Sequence, residues 1–220
     1  MSAGLMLDWS RRREAALGRS RKFSGRRRSR SSGFSIVEMA VSLTVLLILT
    51  AIAIPSLMYS FRTYQLNDAA TRVADTLKFT RYEAVRRNTQ VCFLMQSGPG
   101  SSWIIGTDSN CSGTFSANER QQVIAGFAGL LAPGVAPGPS AISAALGGAT
   151  PAPVYNTGSS VRFDARGAIR VGGNVSSTIF VFYIGSATDP EFGYRAVVLV
   201  PSGNIQIWTA PSGGPWQQVS

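Results

Sequence analysis

Residues 34–58 read FSIVEMAVSLTVLLILTAIAIPSLM, and this stretch holds a single charged side chain, Glu38. From Met39 to Ile54 there is none. At about 1.5 Å of rise per residue, a helix over 34–58 is long enough to cross a hydrocarbon core roughly 30 Å thick. A cleaved secretory signal would have a shorter apolar core with a small-residue site after it. Ala51-Ile52-Ala53-Ile54-Pro55 offers small residues, but the apolar run continues past them. The pattern therefore predicts a retained membrane helix, with the basic residues before it holding the N-terminus in the cytoplasm. Glu38 is costly there, by about 2.5 kcal/mol or more for a buried carboxylate. It reads either as a side chain snorkelling near the positive helix N-terminus or as a functional group that meets a cation.

The net charge of +10 over 220 residues suggests a nucleic-acid binder until its distribution is read. Residues 1–33 hold ten Lys/Arg against Asp8 and Glu14, a balance of +8. The other 187 residues hold eleven basic and nine acidic groups, a balance of +2. Bulk charge therefore gives the main body no nucleic-acid signature. There is no histidine and there are two cysteines. Ser-His-Asp and Cys-His catalysis are excluded, and zinc is left without a ligand set. No metal or cofactor is expected, and no enzymatic activity.

Gly33, then Phe34-Ser35-Ile36-Val37-Glu38, then a wholly apolar stretch carrying Pro55, resembles the leader junction and N-terminal helix of type IV pilins and type II secretion pseudopilins. The resemblance implies that residues 1–33 are a basic leader. A prepilin peptidase would cut between Gly33 and Phe34 and methylate the new amino terminus of Phe34. Glu38 would pair with the terminal amine of a neighbouring subunit during assembly, and Pro55 matches the family's helix-breaking proline. The physics agrees: an unpaired carboxylate in a low-dielectric setting is expensive, so an amine that neutralises it would reward one axial stagger between subunits.

Beyond Pro55, Leu66, Ala70, Val73, Leu77 and Ala84 recur at helical spacing, opposite Arg72, Asp75, Lys78, Arg86 and Arg87. One helix over 34–88 is predicted, kinked at Pro55. After residue 88 the period changes to two. Strands are predicted at 89–95, 102–107, 120–124, 160–164, 168–171, 178–184, 194–200 and 204–209, with a tight hairpin at Ser202-Gly203. The fold class is α+β: a long helix, transmembrane then amphipathic, packed on an antiparallel β head over 89–220.

The head also resembles a family, the GspH/FimT group of minor pilins and pseudopilins. The carriers are Arg81-Tyr82-Glu83-Ala84-Val85-Arg86-Arg87-Asn88, Trp103-Ile104-Ile105 with Asp108, Val161 to Gly167, and Val198 to Gly203. The resemblance implies a structural subunit of a type IV pilus or type II secretion pseudopilus. Its partners would be other pilins, the prepilin peptidase and the inner membrane, with the head in the periplasm. Cys92 and Cys111 flank a predicted hairpin. Outside the cytoplasm they would form a disulfide, contributing about 3 kcal/mol for a loop of this size; two buried thiols are the alternative. Between Arg120 and Arg162 no residue is charged, and 126–160 reads as a flexible insertion. A second reading has it presenting Leu130, Leu131, Val135 and Ile142 to a partner.

Some FimT-like proteins bind DNA through a Gly-Arg-x-Arg pattern near the C-terminus. The matching hairpin here is Gly203-Asn204-Ile205-Gln206, neutral at both arginine positions. The remaining basic cluster is Arg162, Arg166 and Arg170, diluted by Asp164. It is either a solvated strand face or a phosphate contact for DNA uptake.

Overall fold

The computed structural model describes residues 33–219 except 101, 125, 133, 136–138, 156, 157, 159 and 172; for 139–141 it describes the backbone alone. Residues 1–32, where the basic leader is expected, lie outside the described residues. Up to Leu47 and from Ile48 onward the chain forms two structural units. Within the first, every described residue from Gly33 is solvent-exposed. There the Thr44 hydroxyl donates to the Ala40 carbonyl of its own helix at 2.8 Å.

Helix α1 is Ile36–Arg87, 52 residues, and it runs through Pro55 without ending. Its second half buries Leu66, Ala69, Ala70, Val73, Ala74, Leu77 and Ala84, so all five residues of the expected stripe are inside. The helix stops where Asn88 takes a left-handed φ of 49°, a conformation asparagine tolerates. The N–H of Thr89 then bonds back to the Ala84 carbonyl at 3.2 Å.

Twelve strands follow among the described residues: β1 (Val91–Ser97), β2 (Trp103–Asp108), β3 (Gln121–Ile124), β4 (Gly129–Leu131), β5 (Ala152–Pro153), β6 (Ser160–Phe163), β7 (Ile169–Val171), β8 (Asn174–Val175), β9 (Phe180–Gly185), β10 (Tyr194–Leu199), β11 (Ile205–Ala210) and β12 (Gln217–Gln218). A short helix α2 (Pro139–Ala145) lies between β4 and β5. One sheet has the order β3-β2-β1-β6-β7-β8 and the other β12-β11-β10-β9-β4, with β5 joining β9 in parallel. All eight strands expected from the sequence are present, each within about two residues of its predicted bounds.

The core has two parts. The larger one joins the buried stripe of α1 to Phe93, Met95, Ile105, Val161 and Phe163 of the first sheet and to Phe182, Ile184, Val197 and Leu199 of the second. Phe93 and Phe182 meet edge to face at 5.4 Å. The smaller part lies on the opposite face of the second sheet, where Val181, Tyr183, Tyr194, Ala196, Val198 and Trp208 pack with Leu131, Ile142 and Trp216. Strand β9 is thus buried on both faces, which is why it reads Phe-Val-Phe-Tyr-Ile without alternation.

The 126–160 stretch departs from its reading as an unstructured loop. It carries β4, α2 and β5, and both strands hydrogen-bond to β9. Leu131 and Ile142, expected as partner-facing residues, are 5% and 0% exposed. They face inward because β9 and β10 present a second apolar face that needs a cover, and this segment supplies it.

Candidate functional site

Gly33 and Phe34 immediately precede α1, and Glu38 sits in its first turn. Phe34 is 75% exposed, and Ile36, Val37, Met39, Val41, Leu43 and Leu46 are exposed too. A Cβ added at Gly33 would meet nothing within 4 Å. Neither space nor a left-handed φ asks for glycine there. Among the described residues Glu38 forms no ion pair. A helix that is apolar all round and exposed is suited to lipid or to neighbouring helices. The α1 residues include an 18-residue window apolar enough to cross a bilayer.

At the other end of α1, residues from separate stretches of sequence converge on Arg81. Its Nε donates to the Gly167 carbonyl at 3.0 Å, Nη1 to Gly203 at 3.0 Å and Nη2 to Ser202 at 3.2 Å. One guanidinium thus ties the helix to the turn after β6 and to the turn between β10 and β11. Gly167 and Gly203 have φ of 75° and 79°, and a Cβ at Gly203 would come within 2.7 Å of Arg81 Nε. Nearby, Glu83 is bound by Arg86 and Arg87, both at 2.8 Å. The hydrogen bond from Arg86, opposed by burial and helped by Arg87, holds the Glu83 carboxyl below its ordinary value.

The three arginines expected on one strand face are not equivalent. Arg162 and Arg170 are cross-strand neighbours on β6 and β7, while Arg166 lies in the turn between them. Arg170 is committed to Asp164 at 3.0 Å and to the Gly173 carbonyl at 2.8 Å. Asp164 also accepts the N–H groups of Arg166 and Ala168. Burial would raise its carboxyl, but those N–H donors and Arg170 outweigh burial and hold it below the usual range. Arg162 and Arg170 are half-buried and Arg166 alone is exposed. Cys92 of β1 and Cys111, just past β2, are joined in a disulfide. No group of three or more His, Cys, Asp or Glu side chains converges among the described residues.

Set beside known proteins, the chain matches the family model of the type II transport protein GspH over residues 69–203. The model of the prokaryotic N-terminal methylation motif matches residues 28–54. No curated protein matches it. Among solved structures it is similar to the type IV minor pilin FimU of Pseudomonas aeruginosa, at 20% identity and a TM-score of 0.42, over 70% of this chain and 95% of that one.

Proposed function

This chain belongs to the GspH family of type II transport proteins, and from that membership we propose that it is a minor pilin or pseudopilin, processed by a prepilin peptidase and built into a filament through α1. The observation that carries the reading is the pairing of the methylation motif over 28–54 with an exposed apolar stretch of α1, residues 36–58, whose only carboxylate is Glu38. Cleavage between Gly33 and Phe34 would create an amine on Phe34, to be methylated. Glu38 of one subunit would then meet that amine of a neighbour, where leaving either charge alone is costly. The helix sits in the inner membrane before assembly, N-terminus in the cytoplasm and head in the periplasm. The role is structural, built on packing and on one charge pair.

Co-expression with a prepilin peptidase tests it. Wild type is expected to lose residues 1–33 and gain a methylated N-terminal Phe34, read by intact mass. Gly33→Ala is expected to stay uncleaved, and its normal cleavage would overturn the reading. Glu38→Val should be cleaved as wild type yet fail to enter sheared filaments.

A further inference from the structure

We propose that the loop following β2, residues 108–119, is a calcium-binding loop built on Asp108, Asn110, Ser112, the Thr114 carbonyl and Glu119. The stretch reads Asp-Ser-Asn-Cys-Ser-Gly-Thr-Phe-Ser-Ala-Asn-Glu. A twelve-residue calcium loop takes oxygen ligands at positions 1, 3, 5 and 7, the last a backbone carbonyl. It needs glycine at 6 for a sharp turn and closes with a glutamate at 12. This stretch has Asp, Asn, Ser, Gly, Thr and Glu at those places. Only two are acidic, so the feature is a spacing of oxygen-bearing residues about a glycine rather than a patch of charge.

The fold gathers those oxygens. The Ser112 N–H lies 3.1 Å from Asp108 Oδ1 and 3.1 Å from Asn110 Oδ1, and Ser112 Oγ lies 2.9 Å from the Thr114 carbonyl oxygen. Three prospective ligands therefore cluster around a fourth, Ser112. Two left-handed residues bend the chain to do this, Cys111 at φ 55° and Gly113 at φ 82°. Glu119 folds back on the start of the loop, its Oε1 accepting from the N–H of Ser109 at 2.7 Å and its Oε2 from that of Ser116 at 2.7 Å.

The charges around the loop also suit a cation. Asp108 is 1% exposed, and its carboxylate accepts only N–H groups of its own loop, from Asn110, Ser112 and Gly113. Among the described residues it forms no ion pair. A buried carboxylate without a countercharge is expensive. Arg87 is near enough to Glu119 to influence it, but is itself ion-paired with Glu83. Asn110, Ser112 and Thr114 are exposed, which leaves the ion a way in. All-oxygen ligands select a hard cation, and a site that replaces most of the ion's waters with protein oxygens favours calcium over magnesium, which gives up its waters reluctantly. The disulfide pre-sets the loop: Cys111 is bonded to Cys92, which pairs with Asp108 across β1 and β2.

The test is calorimetric titration of the full chain in detergent micelles, stripped with EDTA, with CaCl2 and separately with MgCl2. Two carboxylates place the expected Kd for calcium at about 10⁻⁴ to 10⁻³ M. Asp108→Asn and Glu119→Gln should each weaken it at least about tenfold, while Asp75→Asn, an acid on α1, leaves it unchanged. Should Asp108→Asn not fold, Glu119→Gln and Asn110→Ala carry the test. Saturating calcium should raise the Tm of wild type by roughly 2–4 °C and of the loop variants by less. No calcium binding, equal affinity for magnesium, or unchanged affinity in the foldable loop variants would overturn the assignment.

Discussion

Arg81 shows why the family's scattered sequence marks belong together. Three carbonyls on two turns share one guanidinium, and those turns carry glycines at 167 and 203 because their φ is positive and the arginine lies against them. The planar fork of arginine can serve several acceptors at once, which a lysine ammonium on a flexible stem does poorly. Arg81→Ala should destabilise the full chain by about 2 kcal/mol, and Arg81→Lys should recover less than half of that. Gly203→Ala should cost about 1–3 kcal/mol through the positive φ and the contact with Arg81. In the double variant the contact disappears and the φ strain remains, so the two costs should sum to more than the double variant loses. Thermal unfolding in detergent micelles reads all four. An Arg81→Lys variant as stable as wild type would mean that the turns hold themselves. Sequence alone marks these residues as a recurring pattern. That they meet was hidden because their chain separations exceed 80 residues.

At the scale of elements, the segment between β3 and β6 carries the main structural lesson. Ile142 of α2 is fully buried against the outer face of the second sheet, whereas Val135 is 42% exposed. Ile142→Ala should therefore cost about 2–4 kcal/mol, and Val135→Ala should stay within about 0.5 kcal/mol of wild type. Equal, small effects in urea unfolding would return the segment to the status of a loose insertion. The stripe on α1 was legible because five residues repeat at the period of a helix, and the strands because alternation and turn residues bracket them. Strands β4, β5, β8 and β12 are two or three residues long, too short to show a period. The segment that carries β4 and β5 is implied indirectly by β9, whose unbroken apolar run requires cover on both faces; β8 and β12 have no such signal. The proposed loop at 108–119 carries no histidine and draws on oxygens instead, because a hard cation takes carboxylate, amide, hydroxyl and carbonyl ligands.

For the molecule as a whole, charge is the property most altered by the proposed processing. Residues 1–33 hold +8 of the total of +10, so the chain from Phe34 onward carries +2. An unprocessed preparation should bind DNA at low salt whatever the head does, because a basic arm releases counterions from any polyanion. The informative comparison is between unprocessed chain and chain beginning at Phe34, each in the same detergent. The structural reading expects strong, salt-sensitive retardation of DNA by the first and little by the second. It also expects Arg166→Ala to change nothing in the processed chain, since one exposed arginine contributes at most one phosphate contact, or about 0.9 to the salt slope. Retardation that persists in the processed chain, and that Arg162→Ala and Arg166→Ala each weaken, would instead favour a role in DNA uptake. The steepness of the salt dependence separates the two: several phosphate contacts are needed for useful affinity, and with Arg170 held by Asp164 the β6–β7 hairpin has few arginines to give.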